Sequence, residues 1–225
     1  MVNLAKNDST NAPRKEIINN FEKGTIYTVS KRALDIIGAL VGLLILSILF
    51  LLVAFLIKLE DPKGPLFFSQ KRVGKDGKEF KMYKFRSMVT DAEARLGELL
   101  KHNEVEGAMF KMKNDPRITK IGKFIRKTSI DELPQLINVL KGDMSLVGPR
   151  PPLPREVQEY TKYHMQRLLV TPGCTGVWQA SARNSVGFEE MVDMDIYYIR
   201  NRSFWFDLKI IFKTVLVLFG SKNAF

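Results

Sequence analysis

The chain has 225 residues, enough for one sizeable domain with an appendage, and its 35 Lys and Arg outnumber 24 Asp and Glu to give a net charge of +11. That balance, with a pI near 9.7, points to an anionic partner: nucleic acid, an anionic membrane surface or a phosphorylated small molecule. One cysteine, Cys174, excludes an intramolecular disulfide framework, and with His102 and His164 at no close spacing to it a structural zinc site is not expected.

Residues 1–30 are polar, mixed in charge and aperiodic, which predicts a mobile tail with at most a short helix around 16–21. Residues 36–57 are apolar apart from Ser47 and small side chains, long enough for the roughly 20 residues that cross a bilayer. A buried core helix rarely runs this far without a polar face. Lys31 and Arg32 precede the run, and Lys58, Lys63, Lys71 and Arg72 follow it, so both flanks carry the basic charge of a cytoplasmic side. A helix that enters the membrane, bends and returns satisfies this, whereas a straight span places the tail outside.

Asp61-Pro62-Lys63-Gly64-Pro65 marks a boundary. Residues 66–73 and 78–86 then read as two strands around Gly74-Lys75-Asp76-Gly77, an Asp-Gly hairpin signal. The second strand carries Lys81, Lys84 and Arg86, either a solvated face or part of an anion site. Residues 92–100 read as a helix with Asp91 as N-cap. After Asn114-Asp115-Pro116, Ile118, Ile121, Phe124 and Ile125 recur at helical spacing with Lys120, Lys123 and Lys127 between them, a basic amphipathic helix suited to anionic headgroups or to plain solvent. Pro149, Pro151, Pro152 and Pro154 hold Arg150 on stiff, extended backbone, suited to a bidentate grip on phosphate. A helix over 156–169, a loop over 171–176 and a helix over 188–200 are expected next. Residues 204–219 are aromatic and aliphatic but interrupted by Lys209 and Lys213, which predicts an interfacial helix rather than a span.

The chemically suggestive stretch is Thr128-Ser129-Ile130-Asp131-Glu132-Leu133-Pro134-Gln135, two adjacent acids before an apolar helix pattern that ends at Lys141-Gly142. Ser129 and Glu132 have capping-box spacing, the common explanation of such a pair. With Ser129 as N-cap, however, Pro134 falls past the first turn and removes a hydrogen bond. With Asp131 as N-cap, Pro134 lies where the N–H would be unpaired anyway. The second register is cheaper and leaves Glu132 in need of another partner. The sequence has no Gly-x-x-x-x-Gly-Lys-Ser/Thr, Gly-x-Ser-x-Gly or His-Glu-x-x-His motif. A carboxylate can attack phosphorus when cations draw a phosphate close, and a second carboxylate can hold Mg2+ together with substrate phosphates. Asp131 and Glu132 with Lys84, Arg86, Arg126 and Arg150 supply those parts. Acid–base work on a sugar by the two carboxylates is the rival chemistry, disfavoured by the basic surroundings. A membrane-anchored basic module that binds anionic lipid or nucleic acid without catalysis is the non-enzymatic alternative.

From residue 31 to about residue 213 the sequence resembles the bacterial sugar transferases, small monotopic polyprenyl-phosphate phosphoglycosyl transferases. The resemblance rests on Lys31-Arg32 with Asp35, Ile57-Lys58-Leu59, Lys84-Phe85-Arg86-Ser87-Met88 and Asp115-Pro116-Arg117-Ile118-Thr119. It continues through Asp131-Glu132-Leu133-Pro134-Gln135, Asn138-Val139-Leu140-Lys141-Gly142-Asp143-Met144-Ser145 and Val147-Gly148-Pro149-Arg150-Pro151. Pro172-Gly173-Cys174-Thr175-Gly176 and Asp195-Ile196-Tyr197-Tyr198 complete it, and the order of these pieces is far more specific than any one.

The resemblance implies transfer of sugar-1-phosphate from a UDP-sugar to undecaprenyl phosphate with release of UMP, as the first membrane step of exopolysaccharide or capsule assembly. It implies Asp131 as nucleophile forming a covalent phosphosugar, Glu132 assisting and holding Mg2+, and Lys84, Arg126 and Arg150 binding phosphate or nucleotide, with Arg86 in the same basic segment. The family's membrane helix carries a Ser-Pro break; here Ser47 is followed by Ile48, and Ser47 alone would bend the helix by bonding back to the backbone. The expected fold is mainly α with a small β-hairpin: a monotopic membrane protein with an N-terminal re-entrant membrane helix and interfacial amphipathic helices. The expected organisation is a tail over 1–30, a membrane helix over 31–60 and a catalytic domain over 61–225 on the inner face of the bacterial cytoplasmic membrane. That is a short, catalytic form of the family with no nucleic-acid partner; homo-oligomerisation stays open.

Overall fold

The computed structural model describes residues 22–99, 101, 112, 114–181 and 186–220, so the helix expected around 16–21 lies outside the described residues. Helices α1 (Thr25–Ile45) and α2 (Ser47–Glu60) meet at Leu46 with a 60° bend. No single helix among the described residues is long and apolar enough to cross a membrane; the bent pair has the length and composition of a broken span or a re-entrant loop. At the bend the Ser47 hydroxyl donates to Leu44 O at 2.8 Å, a back-bond that competes with the helical ladder without any proline. Leu44, Ile45, Ile48, Leu51 and Phe55 are left uncovered by the protein around this bend.

Three side chains on the first turns of α1 fasten it to the rest of the fold. Lys31 donates to Val147 O at 3.0 Å and to Asp207 at 3.1 Å. Arg32 donates to Val139 O at 2.7 Å and Leu140 O at 2.9 Å, and Asp35 accepts from Ser145 Oγ and Leu146 N. The two cations read above as topology signals are therefore structural bonds as well. At the other end of the pair, Glu60 accepts from Lys120 N and Ile121 N and so caps α4 (Lys120–Lys127), alongside Thr119, whose hydroxyl accepts from Gly122 N.

Strands β1 (Phe67–Val73) and β2 (Glu79–Phe85) form the expected antiparallel hairpin, Phe67 opposite Phe85 and Val73 opposite Glu79. Asp76 and Gly77 take φ of 56° and 77° at its tip, the left-handed pair that an Asp-Gly turn supplies. Period-two alternation buries β2 on both faces. Met82 packs with Ala39, Val139 and Met144, whereas Phe85 packs with Val53, Ile57 and Ile125.

Four elements differ from expectation, the first being α1, which begins at Thr25, inside the tail foreseen over 1–30. The helix foreseen over 92–100 shrinks to α3 (Leu96–Leu99), because Arg117 takes the Ala92 carbonyl and leaves Leu96 N to bond Glu93 O three residues back. The helix foreseen over 156–169 is divided into α6 (Pro154–Gln158), α7 (Lys162–Met165) and a 3-10 turn, Gln166–Leu169. Thr161 and His164 cap each other's backbone N–H and start a new helix in mid-pattern. The loop foreseen over 171–176 contains β4 (Gly173–Thr175), paired in parallel with β3 (Ser145–Val147). A Cβ on Gly173 would lie 2.0 Å from Gly148 N, so the two backbones can cross this closely only at glycine.

Helices α8 (Val177–Ser181), α9 (Phe188–Asn201) and α10 (Phe204–Gly220) complete the chain. On α10 Asp207 and Ile210 are buried while Trp205, Phe212, Val215 and Leu216 face outward. Tyr198 of α9 places its hydroxyl 2.7 Å from Asp207 and 3.1 Å from Val147 O, joining the carboxylate that also holds Lys31 and the Tyr27 hydroxyl.

Candidate active site

From α4 the chain turns through Ser129, held at φ 58°, into a 3-10 turn, Ile130–Glu132, and then into α5 (Gln135–Lys141) with Pro134 as its N-cap. Neither capping register read from the sequence forms. The Ser129 side chain caps nothing, and Asp131 lies inside the 3-10 turn rather than at the start of an α-helix. Pro134 cannot donate to an α-helical ladder, so Glu132 N and Leu133 N bond three residues back, to Ser129 O and Ile130 O, at 3.2 Å each.

This turn holds the two acids against β2 and the proline-stiffened segment. Lys84 Nζ donates to Glu132 Oε1 at 2.7 Å and stands 4.0 Å from Asp131 Oδ2. Arg150 brings Nη1 and Nη2 to the same Glu132 oxygen, each at 3.2 Å. Asp131 is only 6 % exposed, yet it accepts no hydrogen bond among the described residues. Burial pushes the Asp131 carboxyl above its usual range and Lys84 pulls it back, with the Glu132 charge adding to the rise. Burial opposes ionisation at Glu132 too, but Lys84 and Arg150 more than offset it and hold this carboxyl well below the usual range. Glu132 in turn strengthens the hold of Arg150 on its proton.

The structure thus brings together Asp131, Glu132, Lys84 and Arg150. Arg126, half-buried on α4, is near enough for its charge to favour ionised Asp131. Arg86 goes elsewhere: its guanidinium pairs with Asp61 at 2.5 Å and bonds Asp61 O at 3.2 Å, clamping the linker after α2. Ser47 sits at the bend between α1 and α2.

Supports for Arg150 escaped the sequence reading. Arg72 donates to Pro151 O at 3.1 Å, Val73 N to Pro152 O at 2.9 Å, and Arg167 to Arg150 O at 3.2 Å while paired with Asp195 at 2.8 Å. Burial, with the charge of Arg150 next, pushes Arg72 down to about 10. Asp195 was visible only as part of a motif; its link to Arg150 through Arg167 has no local signal. Gln135, 2 % exposed and one helical turn past Asp131, has an Nε2 with no partner among the described residues.

No group of three or more His, Cys, Asp or Glu among the described residues is arranged to hold a metal. The two adjacent acids still suit Mg2+, which takes one or two carboxylates and completes its shell with water and substrate phosphates. Every cation contact to Glu132 falls on Oε1, which leaves Oε2 open among the described residues.

A family model described as bacterial sugar transferase matches residues 26–221. The chain belongs to the bacterial sugar transferase family. It is 53 % identical over 198 residues to the galactosyl transferase CpsE of Streptococcus agalactiae serotype III (strain NEM316), covering 87 % of this chain and 43 % of that protein. It is 41 % identical over 203 residues to the UDP-glucose:undecaprenyl-phosphate glucose-1-phosphate transferase of Escherichia coli (strain K12), covering 87 % of this chain and 41 % of the relative. The exopolysaccharide production protein ExoY of Rhizobium meliloti (strain 1021) is 40 % identical over 201 residues, with 88 % of each chain covered. The chain therefore spans about two-fifths of the length of the first two relatives and most of the third.

Proposed function

We propose that this sugar transferase moves a sugar-1-phosphate from a UDP-sugar to undecaprenyl phosphate on the inner face of the bacterial cytoplasmic membrane, beginning the assembly of an exopolysaccharide or capsule. The observation that carries the reading is the division between the two acids: Glu132 takes all the hydrogen bonds from Lys84 and Arg150, and buried Asp131 takes none. A carboxylate that is poorly solvated and unencumbered, beside three cations, is suited to attack phosphorus. The names of the relatives supply the substrate classes.

In the proposed sequence an oxygen of Asp131 attacks the sugar-bearing phosphorus, and the bond from that phosphorus to the UMP oxygen breaks. The phosphosugar is then esterified to Asp131. An oxygen of undecaprenyl phosphate attacks the same phosphorus, frees the Asp131 carboxylate and leaves undecaprenyl diphosphate sugar. Lys84, Arg126 and Arg150 draw in the diphosphate and oppose the charge that builds on it. Glu132, through its open Oε2, is the group that would hold Mg2+, which would supply charge neutralisation on the diphosphate and leaving UMP. The bent α1–α2 pair, entering and leaving on one face, would keep the site at the headgroup level where the lipid phosphate lies.

The test is UMP release by the chain in membranes, screened over a panel of UDP-sugars with Mg2+. Asp131→Asn is expected to lower release at least about a thousandfold. Full release by Asp131→Asn would reject the nucleophile assignment, and no release by the wild type with any UDP-sugar would reject the reaction.

A further inference from the structure

Asn138 is 0 % exposed and lies at the middle of α5, six residues past Glu132. Its Oδ1 accepts from Tyr83 N at 3.0 Å, and its Nδ2 donates to Lys81 O at 2.7 Å and to Asp143 at 3.2 Å. The two backbone groups it takes belong to β2 and are not used by β1. One side chain thus offers β2 the acceptor and the donor that a neighbouring strand would offer.

We propose that Asn138 is a positioning residue of the site: its carboxamide acts as a substitute strand that fixes β2 along α5, the helix that follows the dyad turn, so that Lys84 meets Glu132. The argument is one of register. Lys84 follows Tyr83 directly and α5 follows the dyad turn by two residues, so the Asn138–Tyr83 bond and the Lys84–Glu132 pair tie β2 to two successive elements of the chain. Side chains on a strand alternate, and a slip of one residue would turn Phe85 toward Glu132 and Lys84 into the cluster of Val53, Ile57 and Ile125. Apolar packing of Met82 and Phe85 resists such a flip, but it is non-directional and tolerates small shifts along the strand. Two bonds of fixed geometry from one buried amide to β2 do not, and the bond to Asp143 holds that amide in place. The effect on rate rests on the proposed transfer reaction; the effect on Lys84 does not.

The test uses the full chain in lipid nanodiscs and reads acylation of individual lysines by mass spectrometry beside UMP release. Lys84 and Lys31 are 17 % and 15 % exposed, so Lys31 reports general loosening; Lys71, 71 % exposed, calibrates the reagent. In Asn138→Ala, Lys84 is expected to acylate several-fold faster with Lys31 unchanged. The kcat should fall by about 10- to 100-fold with a smaller change in KM. Combined with Lys84→Met, the loss should be less than the product of the two single losses. Unchanged Lys84 labelling, a parallel rise at Lys31, or multiplicative losses would overturn the assignment. Where Asn138→Ala does not fold, Asn138→Asp with Asp143→Asn keeps the acceptor for Tyr83 N and a bond between 138 and 143 but loses the donor to Lys81 O. Intermediate Lys84 labelling then supports the proposal, and wild-type labelling overturns it. If the wild type releases no UMP with any UDP-sugar, the transfer reaction fails and the labelling alone judges Asn138.

Discussion

At Glu132 three N–H donors from Lys84 and Arg150 converge on one oxygen, while Asp131, its neighbour in the chain, is buried without a hydrogen bond among the described residues. The consequences for pH have opposite signs. The raised Asp131 value makes its contribution to stability present below the ordinary 3.8 and lost as pH rises through the folded value. The lowered Glu132 value makes its contribution present above the ordinary 4.5 and lost as pH falls through the folded value. In the proposed reaction Asp131 must be ionised to attack, so the acid limb of UMP release is expected above the range of an exposed aspartate. Lys84 is the largest influence favouring ionised Asp131, and Lys84→Met should move that limb to higher pH. Initial rates across pH measure this; a limb that stayed or moved downward would mean that Lys84 does not govern the nucleophile.

Helix α5 is only seven residues long, too short to be stable by propensity, and is held from outside. Arg32 of α1 binds two of its last carbonyls, Asn138 binds β2, and the dyad turn precedes it. Arg32→Gln should lower stability by about 2 kcal/mol, because two charge-assisted bonds to helix-terminal carbonyls are lost. Thermal unfolding in nanodiscs would read this as a lower midpoint, and an unchanged midpoint would count against the clasp. At the β3–β4 crossing, Gly173→Ala sets a Cβ 2.0 Å from Gly148 N and 2.6 Å from Thr175 O, both backbone atoms. A loss of more than about 3 kcal/mol or of folded protein is expected, since main chain on both sides cannot yield as a side chain can. Gly97→Ala, with nothing within 4 Å, is the control and should cost nothing measurable in the same assay.

For the whole molecule, the uncovered apolar side chains of α1 and α2 are joined by Phe124, exposed on α4, and by Trp205, Phe212 and Leu216 on α10. Basic residues flank Phe124, with Lys123 and Lys127 exposed on the same helix. Such surfaces suit a lipid interface, where apolar side chains enter the acyl boundary and lysines meet anionic headgroups. A re-entrant α1–α2 pair keeps both chain ends on one side. A cysteine introduced as Asn3→Cys should then resist a membrane-impermeant thiol reagent in intact cells and react after lysis. Labelling in intact cells would establish a span instead.

The hairpin, the apolar run with its weak point at Ser47, and the acidic pair with Lys84, Arg86, Arg126 and Arg150 as its candidate cations were legible because each is written in local pattern: period two, an Asp-Gly turn, a long apolar stretch, stiffening prolines. Local pattern could not say which cation meets which acid. Lys84 and Arg86 are two residues apart and share a strand direction, yet one binds Glu132 and the other Asp61. Their sorting depends on where the end of α2 and the dyad turn come to lie, 25 and 48 residues away in sequence. The parallel β3–β4 pair was hidden for the same reason, since three-residue strands next to Gly and Pro have no periodicity to read. Lys31 and Arg32 read as the basic flank of a cytoplasmic side; contacts more than 100 residues distant make them bonds to Val147, Val139 and Leu140 as well. Sequence determined which chemical groups were available and which short segments would form. The tertiary structure decided their partners, because burial and hydrogen bonding act between groups that folding, not chain order, makes neighbours.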